Sequence, residues 1–194
     1  MRNGKINRKT KETDIQVELN IDGDGQGELK TGLNFLNHML EQFVKYSMFD
    51  VKLNAKGDLQ IDEHHTVEDC GIVLGRALQQ ALGDKRGIRR FASAYAPLDE
   101  ALALAVIDIN GRGGFYFDCN FSRKKVGDLS TELIYDFFEA FARSANVTVH
   151  LRLLTGRNDH HKIESLFKAF GLAMRTACEL DERRKEIPST KGVI

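Results

Sequence analysis

The chain of 194 residues has no tryptophan, two prolines, three cysteines and no surplus of either charge. Lys and Arg number 28, as do Asp and Glu, so the formal net charge is zero. That balance excludes the broad basic surface on which non-specific nucleic-acid binding rests. It also removes charge repulsion between copies, which favours self-association. Cys70, Cys119 and Cys178 are odd in number and far apart, neither a disulfide framework nor a Cys-x-x-Cys knuckle, and read as free thiols of a reducing compartment. No apolar run approaches the roughly 20 residues that a membrane-spanning helix needs. The opening segment MRNGKINRKTKETD is polar and basic, without the apolar centre of a secretory leader. A cytoplasmic protein is expected, with no nucleic-acid or membrane partner. The hydrophobic share of 42%, with 12 Phe and 17 Gly, excludes a disordered chain or a coiled coil.

The chain does contain an internal repeat. His64-His65 is followed by Glu68, and 96 residues later His160-His161 is followed by Glu164. The surroundings repeat as well. Thr13 to Ile21 and Ala101 to Ile109 alternate like half-buried strands, and each runs into a Gly-rich turn, Asp22 to Gly25 or Asn110 to Gly114. Helical spacing follows in Leu36, Met39, Leu40, Phe43 and Val44, and again in Leu133, Ile134, Phe137, Phe138 and Phe141. A strand comes next in each half, Asp50 to Asn54 and Asn146 to Leu154. The His-His pair then opens a second helix, with apolar stripes Val67, Gly71, Leu74, Leu78 and Ile163, Phe167, Phe170, Met174. The pattern predicts one α+β domain over 1–194, made of two pseudo-equivalent halves (about 1–92 and 93–194). Two sheets, each with helices on one face, would bury those stripes by packing helix layer on helix layer.

Four of six histidines lie in the two pairs. At a helix start the first His and the Glu are i,i+4 and the second His and the Glu are i,i+3, so either can share an ion with the carboxylate. Adjacent histidines point about 100° apart on a helix, so one pair can also serve two ions. A single such motif is more often a capping or hydrogen-bonding device; its recurrence in one structural context points to metal. Aligning the first helices sets His38 against Asp136, both aimed toward the end that carries the pairs. Eight candidate ligands result: His38, His64, His65, Glu68, Asp136, His160, His161 and Glu164. They suit two ions with four protein ligands each. Imidazole and carboxylate without thiolate favour manganese, iron, zinc, cobalt or nickel in an open site over a structural zinc. His150, inside a predicted strand, reads as structural. Lys168 lies one turn beyond Glu164, Arg112 is in the second Gly-rich turn, Arg90 is in a basic run, and Ser189 and Lys191 are in the tail. Such groups can hold a phosphate.

The segments LNHMLEQ, HHTVEDCG, GIRRF, PLDEAL, NGRG, NDHHKIESLFKAFG and PSTKG resemble, in order and spacing, the imidazoleglycerol-phosphate dehydratase family. The resemblance runs from about Arg8 to Ile194. It implies a metal-dependent lyase of L-histidine biosynthesis that converts imidazole glycerol phosphate to imidazole acetol phosphate. The implied fold is a tandem duplication of a four-stranded sheet plus two-helix unit, with helices packed between the two sheets. The implied assembly is a large homo-oligomer of about 24 subunits. Two manganese ions per active site, or other divalent metals in their place, would be held by the histidines and glutamates named above. The resemblance further implies catalytic roles for Glu12, His65 and His161. Substrate contacts are implied for Glu12, His38, Gln42, Arg90, Arg112, Lys168, Ser189 and Lys191. Two positions depart from the family pattern: Asp136 stands where a histidine ligand is common, and Thr190 replaces a serine. Similar ligands would also suit a binuclear phosphate-releasing hydrolase, or a metal-storing oligomer without turnover.

Overall fold

The computed structural model describes all 194 residues. Its elements are β1 (Asn3–Lys9), β2 (Thr13–Asn20), β3 (Gly27–Lys30), α1 (Asn34–Ser47), β4 (Asp50–Gly57), α2 (His64–Leu82), β5 (Phe91–Leu98), β6 (Ala101–Asp108), β7 (Gly114–Asp118), β8 (Lys125–Val126), β9 (Leu129–Ser130), α3 (Leu133–Ala145), β10 (Thr148–Thr155) and α4 (Asp159–Cys178). The alternation in β2 turns Thr13, Ile15, Val17 and Leu19 inward, and β6 does the same with Ala101, Ala103, Ala105 and Ile107. Two four-stranded sheets form, ordered β1-β2-β4-β3 and β5-β6-β10-β7. In each, the last pair is parallel and the others antiparallel. The repeat is therefore strand, strand, strand, helix, strand, helix. The outer strands β1, β3, β5 and β7 add to the four read from alternation. Asn146 leaves the predicted strand because it closes α3 in a left-handed conformation, with φ of 55°.

The helices lie between the sheets as a shared layer. All eight residues of the predicted second-helix stripes are buried. One cluster of 50 buried residues runs through both halves, so they share a core. The helix pairing crosses the repeat: α1 packs on α4 and α2 on α3. Glycine permits this. A Cβ on Gly71 would stand 2.5 Å from the Phe137 carbonyl oxygen, and one on Gly75 would stand 2.5 Å from that of Phe141. Gly171, the counterpart of Gly75, meets the Phe43 carbonyl in the same way, at 2.9 Å. Both pairs run parallel, so the helix starts that carry the histidines stay side by side.

The second half alone contains the β8–β9 hairpin, which ties two helix starts together. Leu33, at the N-cap of α1, offers no side-chain acceptor. Asp128 of the hairpin takes that role, accepting from the amides of Asn34 at 2.6 Å and Phe35 at 2.9 Å. Glu63, before α2, accepts from the Ser130 hydroxyl at 2.6 Å and its amide at 3.0 Å, with the Lys125 ammonium at 3.1 Å. Burial pushes the Glu63 carboxyl up, but these donors prevail and hold it at about 2.

Replacing Gly71 with Ala tests the helix contact. Helix propensity alone would stabilise the variant by about 1 kcal/mol. The new Cβ meets a backbone oxygen that cannot swing aside, a clash costing about 1–3 kcal/mol. The expected net result is a lower urea midpoint for Gly71→Ala at unchanged far-UV circular dichroism.

Candidate metal centre

Packing α1 on α4 brings His38 from the first half beside His160 and Glu164 from the second. His38 Nε2 lies 3.2 Å and His160 Nε2 lies 3.1 Å from the same oxygen, Glu164 Oε2. The three ligand atoms all fall within 4.8 Å of one another, a nitrogen–nitrogen–oxygen set suited to a divalent ion of intermediate hardness. Phe35 closes one side, its ring edge-on to His160 with centroids 5.1 Å apart. The other Glu164 oxygen accepts from Lys168 at 2.7 Å, and the two side chains keep only 11% and 13% of their surface exposed. Burial works against the charged carboxylate, but Lys168 and the two imidazoles outweigh it and hold Glu164 below the ordinary range. Lys168 is thus engaged with a ligand and also sits 5.7 Å from the centre of the Tyr46 ring.

The second histidine of each pair points elsewhere, toward a carboxylate of its own half. His161 Nδ1 lies 2.8 Å from Glu100 Oε2, and its Nε2 lies 3.9 Å from Asp99 Oδ2. Those three residues form a second convergent group. Glu100 also accepts from the amides of Asn158 at 2.8 Å and Arg157 at 3.1 Å, which lowers its carboxyl to about 2 and steadies the approach to α4. In the first half His65 Nδ1 lies 3.0 Å from Asp58 Oδ2, and its Nε2 lies 3.9 Å from Glu12 Oε1. The Asp58 bond, above all, raises His65 from its ordinary value. Glu12 sits on the β1–β2 hairpin, which is pinned to α2 because Asp69 binds both the Thr13 hydroxyl and the Arg8 guanidinium.

The repeat of the α1–α4 cluster is incomplete. His64 Nε2 and Glu68 Oε2 are 3.9 Å apart on α2. Asp136, on α3, joins no convergent group. Its carboxylate hangs on a shorter stem than an imidazole and does not reach across the α2–α3 contact.

The cations divide. Gln42 lies one turn beyond His38 on the same face of α1. Arg90, Arg112, Ser189 and Lys191 gather at the far end of α4. Arg90 donates its amide to the Ala177 carbonyl at 3.0 Å and its guanidinium to Asp108 at 2.8 Å and to the Pro188 carbonyl at 2.8 Å. Ser189 Oγ accepts from the Lys191 amide at 3.2 Å. Arg112 stands exposed in its turn. At about 1.5 Å per residue, His160 and Ala177 are roughly 26 Å apart along α4. One chain therefore does not bring these cations to its own imidazoles.

Three residues that sequence reading passed over shape the site. Glu100 and Asp58 aim His161 and His65, and buried Asp159 locks the start of α4. Asp159 accepts from the amides of Ser122 at 2.8 Å and Arg123 at 2.7 Å, and from the Lys162 ammonium at 2.8 Å. Glu100 and Asp159 lay within quoted motifs, PLDEAL and NDHH. Nothing in the sequence singled out Asp58. A surface hollow of roughly 590 Å³ lies outside the first sheet among Lys5, Glu18, Glu28 and Lys52, with no histidine in its lining.

Residues 31–174 match the family model described as imidazoleglycerol-phosphate dehydratase. A curated relative of that name from Clostridium botulinum is 52% identical over 190 residues, covering 98% of this chain and 97% of its own. Another, from Caldanaerobacter subterraneus subsp. tengcongensis, is 52% identical over 194 residues and the whole of both chains. Among solved structures, the imidazoleglycerol-phosphate dehydratase of Pyrococcus furiosus superposes with a TM-score of 0.84 at 37% identity, covering 97% of this chain and 100% of the other. That of Staphylococcus aureus gives 0.84 at 36% identity, with 92% and 99% covered. With the family model matched over residues 31–174 and curated relatives 52% identical over nearly the whole of both chains, the chain belongs to the imidazoleglycerol-phosphate dehydratase family.

Proposed function

We propose that this protein dehydrates imidazole glycerol phosphate to imidazole acetol phosphate in L-histidine biosynthesis, as a cytoplasmic enzyme with two manganese ions per active site. The observation that carries the reading is the convergence of His38, His160 and Glu164 from opposite halves of the chain. Those residues would hold one ion, and His64, His65, Glu68, Asp136 and His161 are the candidate ligands of the other. A bound divalent ion supplies Lewis acidity at the imidazole ring and favours its anionic form. Three unpaired cysteines agree with a reducing compartment.

The reaction removes the hydroxyl from the carbon beside the ring and the hydrogen from the middle carbon, leaving an enol that becomes the ketone. Glu12 would take that hydrogen as a proton, a role supported by its half-exposed position on a hairpin tied to α2 by Asp69, 3.9 Å from His65. Asp58 and Glu100 each bind the Nδ1 edge of a histidine and leave its Nε2 edge free for ring or metal. Arg90, Arg112, Ser189 and Lys191 would clamp the phosphate and keep the leaving hydroxyl aligned.

A distance supports assembly. The substrate spans on the order of 10 Å from ring to phosphate, far less than the roughly 26 Å between the imidazole and cation ends of α4. That distance supports a site that combines the histidines of one copy with the cations of another, and the family resemblance supports a homo-oligomer of about 24 subunits.

Turnover by the purified protein tests the reading, with manganese loaded, stripped by a chelator and restored. Ketone formation should vanish on stripping and return on restoration, with phosphate retained on the product. Release of inorganic phosphate, or no reaction in fully loaded protein, would refute it. Because Asp58 favours protonated His65, metal binding should also weaken as the pH falls through the histidine range. Glu12→Gln should lose about 10²–10⁴ in kcat while manganese content stays unchanged; full turnover would remove Glu12 from the proton transfer. Asp136→His should tighten binding of one ion about 10-fold or more, read by calorimetry as a change in the weaker of two isotherms.

A further inference from the structure

The two halves differ in the connection that leads into their first helix. Residues 31–33 join β3 to α1, whereas residues 119–132 join β7 to α3 and contain the β8–β9 hairpin. The longer connection meets the start of every helix. It runs straight into α3. At its entry, Asp159 of α4 accepts from the amides of Ser122 at 2.8 Å and Arg123 at 2.7 Å. Further on, Ser130 donates to Glu63 before α2, and Asp128 accepts from the amides of Asn34 and Phe35 that open α1. Thr131 closes the base of the hairpin, its amide donating to the Lys124 carbonyl at 3.0 Å and its hydroxyl to the Arg123 carbonyl at 2.7 Å. Contact with the metal cluster is also close. Gly127, with φ of 59°, lies against Phe35, where a Cβ on the glycine would stand 3.2 Å from the Phe35 Cβ. The Phe35 ring is in turn the wall against His160.

We propose that Asp128, Ser130 and Glu63 are positioning residues for both sets of metal ligands, acting together through this one segment. None of them bonds a ligand side chain; each acts on where a helix starts. A cap that worked only locally would serve α1 alone. Here Asp128 and Ser130 share a hairpin whose Val126 and Leu129 are buried in the core, so the hairpin moves as one body. Freeing Asp128 therefore disturbs the Ser130 bond to Glu63 and, through the Ser122–Arg123 turn, the bonds to Asp159. The helices so disturbed carry His38, His64, His65, His160 and His161 within or just beyond their first turn. Metal ligands tolerate displacements of only about 0.2 Å in bond length, so a small shift of a helix start reaches the ion. The inference rests on the reading of the clusters as metal centres, and part of its test needs no metal.

Amide hydrogen exchange of the full chain in chelator reads the coupling. The first-turn amides of Asn37, Val67 and Lys162 bond the carbonyls of Leu33, Glu63 and Asn158, each at 3.0 Å, and report on α1, α2 and α4. In Asp128→Ala all three should exchange about fivefold faster or more, although Asp128 touches only α1. Calorimetric titration with manganese should show both isotherms weakened about 10-fold or more, the effect of losing an outer partner of a metal ligand. Asp128→Asn keeps an acceptor oxygen and should recover part of that affinity. Asp50→Ala is the matched control. It too removes an acceptor of two amides, those of Asp24 and Gln26 at 2.9 Å each, but beyond the far end of α1, and both isotherms should stay unchanged. If Asp128→Ala does not fold, Ser130→Ala, which removes one hydroxyl, should weaken both isotherms in the same sense. Faster exchange confined to Asn37, weakening of one isotherm alone, or equal weakening by Asp50→Ala would each overturn the inference while leaving the metal reading intact. A wild type that takes up no manganese would overturn both.

Discussion

Where Gly71 and Gly75 of α2 meet the carbonyls of α3, and Gly171 of α4 meets those of α1, the helices approach backbone to backbone. No side chain separates them, and the remaining structure is built on that spacing. It locks the four helices into one layer shared by both halves, and it sets the register of α1 against α4. The register decides which side chains can meet. With Gly171 opposite Phe43, Glu164 falls level with His38, and one carboxylate oxygen faces two imidazoles. The His38–His160–Glu164 cluster is thus a consequence of helix packing, and it belongs to neither half alone.

A set of carboxylates then fixes how the helix starts are held. Asp69 ties the Glu12 hairpin to α2, Glu100 ties the loop before α4, and Asp159 fastens that helix start to the Ser122–Arg123 turn. Glu63 and Asp128 do the same across the β8–β9 hairpin. Each accepts backbone or side-chain donors that would otherwise be unpaired near a helix end, where orphan amides concentrate. Glu63 and Glu100 are held at about 2, so these ties persist through neutral pH and weaken only as acid protonates them. The histidines consequently stand on a frame already rigid before any ion binds, which is what a metal site needs for selectivity and orientation.

Duplication also left two equal sheets that have diverged where packing did not constrain them. Apart from Arg8 and Thr13, which bind Asp69, inward positions stayed largely apolar in both, since both cover the same helix layer. Outward positions carry no such constraint, and one face became a lattice of charges while the other became aromatic and aliphatic. At the helix starts the same freedom put Asp136 in the place of His38, leaving one cluster convergent and its twin open.

The repeat, the α+β class, the apolar stripes and all of the clustered histidines were legible in the sequence, because period and spacing are local properties of a chain. Cross-strand and cross-helix partners were not. That His38 joins His160 and Glu164, and not the histidines of its own half, depends on which helix lies beside α1. Asp58 and Glu100 became visible only when folding carried them to an imidazole edge. The separation of Arg90, Arg112, Ser189 and Lys191 from the clusters is likewise a matter of where α4 ends in space. The sequence by itself determined which groups are present and at which helix starts they stand. Only the tertiary structure decided which of them meet, because a ligand set is made by distances between segments about 100 residues apart, and no local pattern encodes those distances.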